Sequence, residues 1–442
     1  MQYTNFKTIL TLLLFSLMCC SETVKISPEL PIYDDEEEKV SLTDEELMDK
    51  VQETTFKYFW DYGHPVSALS RERSNGDDEI VTTGGTGFGI MAIIVGVERG
   101  YITKAEAAQR LVKMYEFLEN ADRFHGAFPH WYHGSTGKVK PFSQKDDGGD
   151  LVETAFLIEG IITSRNYFDG DNETEIKLRT LATALWEGVD WEWYRNGTDK
   201  LYWHWSPQYD FQMNMPLYGF EETQITHLLA VASPTYPVPA STYETCFKNG
   251  EHRYEQSLTV DTAKPLFWVH YSYIGLEPHF TDGTTSKSYF ELFKERTLEN
   301  RRWCIEQQVK FPYYGENAWG LTASDDPFEG YMAHEPSQNL DNGTITPTAA
   351  LSSIVYTPEE SLAAMRYFYE EQPKLWGEYG FKDAYNLSQG DWYAESYLAI
   401  DQGPIITMIE NYRSGVLWKY FMMDKDIQRG IETLNWSFSS VN

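Results

Sequence analysis

The chain has 442 residues, 42% of them hydrophobic and 15% aromatic, with 67 acidic against 36 basic side chains and a net charge of −31. That length and apolar fraction suffice for a sizeable core. The acidic excess argues against nucleic acid and uronate-rich polyanions as partners, and against a lyase that would need basic groups to neutralise a uronate, while leaving neutral ligands open.

In chain order, Lys7 precedes a short apolar run over residues 9–18, too short to span a bilayer and suited to a secretory signal. It ends on Cys19-Cys20. Leu17 three places before Cys20 and the small Cys19 just before it resemble a bacterial lipobox, so residues 1–20 are expected to be a lipoprotein signal peptide with lipid attached to Cys20. An ordinary secretory signal is the alternative. The expected location is the periplasm or cell surface, on a bacterial membrane through that lipid alone. Residues 21–42, with Pro28, Pro31 and the run Asp34-Asp35-Glu36-Glu37-Glu38, read as an acidic tether.

From 43 to 442 no second linker is evident, so a single domain is expected, and a monomer. Thr43-x-x-Glu46 and Thr103-x-x-Glu106 have the form of capping boxes, and Thr357-Pro358 puts proline at a first helical position. Further helical stretches are expected at 86–98, 150–168, 173–195, 219–232, 286–309, 347–356 and 403–422. The sum is an all-α fold of about twelve helices with few convincing strands. Cys246 and Cys304 are left as a possible pair or two buried thiols.

Three acidic positions open apolar helices. Gly148-Gly149 leads into Asp150-Leu151-Val152-Glu153, whose two carboxylates share one face of a first turn; the spacing also suits an N-cap with its reciprocal partner, and a cap can be a site residue. Glu221 and Glu222 follow Gly219, about 100° apart on a helix, so only one of them can face a given cleft. Asp401 precedes Gly403-Pro404 and could cap that helix or serve the site. Acids delivered from several helix starts could meet at one end of a helical barrel. There a glycosidase needs one carboxylic acid to protonate the leaving oxygen and one carboxylate to activate water or attack carbon.

Aromatic residues in polar loops, Trp131, Trp203, Trp205, Trp319 and Trp392, are candidates to stack on the apolar face of a sugar. His130, Glu221, Asp325 and Asp401 join them as candidate substrate contacts. No cofactor and no metal are expected. His130 and His133 sit between Pro129 and Gly134 without a zinc set of usual spacing, and the glycine run from Gly84 to Gly89 lacks the strand pattern of a dinucleotide site and reads as a tight turn into a helix.

The motifs Thr82-Thr83-Gly84-Gly85-Thr86-Gly87-Phe88-Gly89, Gly149-Asp150-Leu151-Val152-Glu153-Thr154-Ala155, Glu222-Thr223-Gln224 through Ala232-Ser233-Pro234-Thr235, Pro265-Leu266-Phe267-Trp268, Trp319-Gly320-Leu321-Thr322-Ala323-Ser324-Asp325 and Gly380-Phe381-Lys382-Asp383-Ala384-Tyr385-Asn386 occur in that order. Together they resemble the glycoamylase-like domain of bacterial (α/α)6-barrel proteins, a group that includes the β-1,2-glucanases of glycoside hydrolase family 144. The resemblance spans about residues 45–425. It implies a toroid of helices with the site at its wide end, and inverting hydrolysis of β-1,2-glucan or its oligosaccharides. It also implies catalytic roles for Asp150, Glu153 and Glu222, with Glu222 as proton donor and Asp150 or Glu153 on the water side. Glu221 departs from the Asn often found there in the family. A non-catalytic glycan-binding lipoprotein and a glucoamylase-like α-glucan hydrolase are the competing readings.

Overall fold

The computed structural model describes residues 41–219, 222–248 and 264–438, and Thr43–Asn442 form one compact unit. The expected signal peptide with Cys20, residues 21–40 of the expected tether, and Glu221 lie outside the described residues. The helices run α1 Asp44–Trp60, α2 Thr83–Glu98, α3 Lys104–Asn120, α4 Leu151–Tyr167, α5 Glu173–Glu187, α6 Gln224–Ala232, α7 Ser241–Lys248 and α8 Tyr289–Glu306. They continue with α9 Pro347–Leu351, α10 Pro358–Glu371, α11 Ala399–Ser414, α12 Val416–Met422 and α13 Lys425–Thr433.

Two kinds of helix alternate along the chain. Helices such as α1 and α3 are buried on one face only and open on the capping boxes of Thr43 with Glu46 and Thr103 with Glu106. By contrast, α2, α4 and α6 are buried almost all round, as is expected of helices that are apolar on every side. The second kind forms an inner ring. In it α2 packs on α4, α4 on α6, and α6 on the 3-10 turn Tyr271–Tyr273. His270 Nε2 lies 2.9 Å from Ser353 Oγ, which joins that turn to the 3-10 segment Ser352–Val355 after α9; this segment packs on α11, and α11 on α2. Six inner segments thus close on themselves, with the one-sided helices outside them: an (α/α)6 toroid, as expected.

The glycine run departs from its expected form. Helix α2 has already begun at Thr83, and the glycines serve contact between helices, not a turn. A Cβ on Gly87 would stand 2.1 Å from the carbonyl oxygen of Phe156, and one on Gly160 2.3 Å from that of Gly87, so α2 and α4 touch backbone to backbone. Helices α7 and α13 have no counterpart among the expected stretches; each is short, and α13 is announced only by its cap, Asp424, which accepts from the Asp426 amide.

Short ribbons sit among the loops at the starts of the inner helices. Strands β1 Ile80–Thr82, β2 Trp131–His133 and β3 Lys138–Lys140 form one sheet, and β4 Gly149–Asp150 pairs with β5 His204–Trp205. A hairpin of Ala323–Asp326 with Gly330–Ala333 stands beside them in the chain's second half. Cys246 and Cys304 are separate buried thiols.

Candidate active site

A cavity of about 460 Å³ opens where the inner segments begin. Thr82, Glu153, Glu222, Phe267 and Leu398 line it, each in the first turn of an inner segment or just before one. The helix ends there present free amides and positive dipole ends, which favour carboxylates. Loops and ribbons supply further walls through Arg73, His130, Trp131, Phe142, Trp203 and Tyr331.

Asp150 and Glu153 divide the two roles that their spacing left open. Asp150 is the N-cap of α4: its Oδ1 accepts from the amides of Val152 and Glu153, both at 3.0 Å. Its Oδ2 lies 3.0 Å from His130 Nδ1, and pairing of β4 with β5 brings His204 Nε2 to 3.7 Å. Asp150 is wholly buried and does not line the cavity. Glu153 makes no reciprocal cap. It turns to the cavity, where its Oε2 accepts a 2.6 Å hydrogen bond from the Gly84 amide at the start of α2, and its Oε1 lies 3.9 Å from His130 Nε2.

Charge in this cluster is set by burial and by neighbours. Burial, with Asp150 nearby, pushes the Glu153 carboxyl up to about 7 even though His130 pulls it down. Burial works against a charged His130, but Glu153, Asp150 and Asp146 outweigh it and carry the imidazole up to about 9. For Asp150, the bond from His130 and the nearby His204 overcome burial and hold the carboxyl below its usual range. His130, Asp146 and Asp150 offer ligand atoms within 4.8 Å of one another, a set able to hold a metal ion. Asp150, Asp146 and Glu153 stand 3.0, 3.9 and 3.9 Å from the nitrogens of the His130 ring. Phe142 lies over that ring, centroids 4.2 Å apart and planes within 24°.

A second acidic cluster reaches the cavity through Glu72 and Arg73, and most of it was not evident from the sequence. Arg73 bonds both Asp325 oxygens at 2.9 and 3.2 Å and reaches Glu72 at 2.9 Å. Ser396 also donates to Asp325, and the Asp325 amide donates to Asp383 Oδ2 at 2.6 Å. Asp383 faces Asp401, which is 1% exposed. Burial first, then the charge of Asp383, drives Asp401 well above the usual carboxylate range, and Asp383 is pushed up to about 7. One proton shared between Asp401 and Asp383 lets these two buried carboxyl groups hydrogen-bond to each other. Asp401 lies in the first turn of α11 without capping it by its side chain.

Glu222 lines the cavity two residues before α6. Its carbonyl accepts from Ser272 Oγ at 2.6 Å, and that hydroxyl also receives the Ile225 amide at 3.1 Å, so the next inner segment pins the backbone that carries it.

The tryptophan candidates separate. Trp131 and Trp203 line the cavity. Trp319 corrects the expectation: it is fully buried and offers no face to a sugar. Trp205 packs edge-on against His125 instead of lining the cavity, and Trp392 pairs with Asn386 in a hairpin outside it. Arg73, Glu72, Phe142, Tyr271 and Tyr331 line the cavity without having been singled out. Only the acid and glycine spacing before inner helices was a usable signal, and these residues lie in loops, ribbons or a 3-10 turn.

The fold and this site together define a class, a helical toroid with carboxylates at the starts of its inner helices and aromatic rings beside them. Relatives of the same build are known. The Glycoamylase family model matches residues 214–425. An endo-β-1,2-glucanase from Chitinophaga pinensis, solved with sophorotriose and glucose, is 46% identical at a TM-score of 0.84, covering 90% of this chain and 99% of that one. An exo β-1,2-glucooligosaccharide sophorohydrolase (non-reducing end) from Parabacteroides distasonis is 44% identical over 423 residues, 89% of this chain and 58% of that protein. The chain therefore spans under two thirds of that curated relative's length. An endo-β-1,2-glucanase from Talaromyces funiculosus, 11% identical at a TM-score of 0.64 and covering 89% of this chain, shares the fold. The chain belongs to the glycoamylase-like family of (α/α)6-barrel proteins, and the Chitinophaga enzyme is similar to it along nearly that enzyme's whole length.

Proposed function

We propose that the chain is a glycoside hydrolase acting on β-1,2-glucan or its oligosaccharides with inversion. One observation carries the reading: Glu153 and Glu222, held at the starts of two adjacent inner helices, line the same aromatic-walled cavity. Glu222 donates its proton to the leaving glycosidic oxygen. Glu153 takes a proton from water as that water attacks the anomeric carbon on the opposite face. Asp150 is a positioning residue, since its carboxylate is spent on the α4 amides and on His130. Asp401 is not assigned as the base: it does not line the cavity, and burial with the charge of Asp383 drives its carboxyl well above the usual carboxylate range, against the ionised form a base requires. The β-1,2 linkage is supported by the relatives described as acting on it.

Product analysis on β-1,2, β-1,3, β-1,4 and α-1,4 glucans tests the reading. Release of oligosaccharides from the β-1,2 polymer alone supports it, and cleavage of the α-1,4 polymer instead contradicts it. The lengths of the first products separate endo from exo action. For export we propose lipid attachment at Cys20, with Cys20→Ala moving the protein from the membrane fraction to the soluble one. Equal partitioning of the two forms would refute the anchor.

A further inference from the structure

Trp205, which does not line the main cavity, backs a second surface feature through His125. A shallow depression of about 420 Å³ is lined by Asp190, Glu192, Trp193, Asn196, Phe211 and Tyr236. Two of its three rings are exposed, Trp193 to 40% and Tyr236 to 44%. Trp193 is nevertheless held in place. His125 stacks on one face of it, centroids 3.6 Å apart and planes within 11°, and Trp205 meets His125 edge-on at 4.7 Å. The Trp193 amide donates to Asp190 Oδ1 at 3.0 Å, and Arg195 fixes Glu192 with a bond of 2.7 Å.

A ring whose rotamer is already locked loses little entropy when a flat apolar ligand face lies on it. Around it stand carboxylate acceptors and one side-chain amide, with no Lys or Arg among the lining residues. That set suits hydroxyl donors, and the volume falls within the roughly 300–1,000 Å³ of small-molecule sites. Strand β5 ties the depression to the catalytic cluster: of its two residues, His204 lies 3.3 Å from Asp146, and Trp205 backs the stack.

The geometry points to a second, non-catalytic saccharide-binding site on the Trp193 ring, taking a neutral pyranose unit of a glucan chain. It rests on the reading of the main cavity only for the identity of that glucan. The site holds polymer near the cleft without contributing to bond cleavage.

The test is native gel electrophoresis in gels containing soluble β-1,2-glucan, with β-1,3-glucan and α-1,4-glucan gels alongside, for the wild type, Trp193→Ala, Tyr236→Ala and Trp193→Phe. Turnover of a short β-1,2-oligosaccharide is measured for each. Loss of a stacked ring weakens retardation by about threefold to tenfold. Both alanine variants should show this with short-substrate turnover within about twofold of wild type, and Trp193→Phe should retain most of the retardation. Unchanged retardation in both alanine variants overturns the site, and so does an equal loss of short-substrate turnover. Retardation that depends on Trp193 only in another neutral glucan, without β-1,2 cleavage, supports the site and removes the linkage reading. Cleavage of β-1,2-glucan with retardation independent of Trp193 removes the site alone.

Discussion

Asp150 Oδ2 and His130 Nδ1 stand 3.0 Å apart, the carboxylate wholly buried and the imidazole at the cavity wall. Against burial, Glu153 first, then the bond to Asp150, then Asp146 raise the His130 imidazole above its ordinary value, and Asp150→Asn separates the two jobs of that carboxylate. Asparagine is as good an N-cap as aspartate, so α4 should keep its start. The His130 pKa, followed by proton NMR, should fall from about 9 toward the ordinary value of about 6.5. A value unchanged at about 9 would show that Asp150 does not hold the charge.

The same pair makes stability depend on pH. In the folded chain His130 keeps its proton up to about 9, whereas in the unfolded chain it releases it near 6.5. The stabilisation is therefore complete below about 6.5 and is lost as pH rises through about 9. Thermal melts should show a larger drop in midpoint between pH 6.5 and 9.5 for wild type than for His130→Gln, and parallel curves would contradict this.

In the proposed mechanism Glu153 must be ionised to accept a proton from water, so a Glu153 pKa of about 7 would set the acid limb of kcat/KM. Activity should fall as pH drops below about 7. His130 is the group that most lowers the Glu153 pKa, so His130→Gln should move that limb to higher pH. A limb that stays in place, or moves down, would exclude Glu153 as the titrating base.

Arg73 is the cation bonded to both Glu72 and Asp325, with Asp383 and Asp401 behind them. Arg73 pulls down the carboxyl groups of Glu72, Asp383 and Asp401, which burial already raises, so Arg73→Met should raise them further in the folded state. The unfolded state ionises them above about pH 4, so the loss of stability should grow as pH rises. Melts at pH 5 and 7.5 should show the larger fall in midpoint at 7.5, and an equal fall at both would point to lost packing alone.

Gly87→Ala places a methyl group on the Phe156 carbonyl at the crossing of α2 and α4. Overpacking of this kind costs about 1–3 kcal/mol, and because the two helices carry Gly84 and Glu153, activity should fall together with the melting midpoint. A fully stable variant would contradict the close contact.

The fold was legible where local chemistry is self-contained. Thr43 with Glu46 and Thr103 with Glu106 form the expected boxes, and Pro358 opens α10 as expected. The acids before α4 and α6 were readable because glycines and a long apolar run follow or precede them. Arg73, Asp383 and Tyr331 were not, since they come from loops and a ribbon, and only ring closure brings Arg73 to Asp325 across 252 residues. Trp319 misled for the converse reason. Its polar sequence neighbourhood suggested a loop surface, while the fold buries it completely.

Glu222→Gln gives the most direct test of the proposed mechanism. The substitution keeps the shape and removes the transferable proton, which is worth roughly a factor of 100 to 10,000 in rate. Turnover should be compared on natural β-1,2-glucan and on an aryl β-glucoside of the same linkage whose acidic phenol leaves without protonation. The expected result is a loss of that size on the glucan and a much smaller one on the aryl substrate. Wild-type turnover of the glucan by Glu222→Gln, or equal losses on both substrates, would contradict Glu222 as the proton donor.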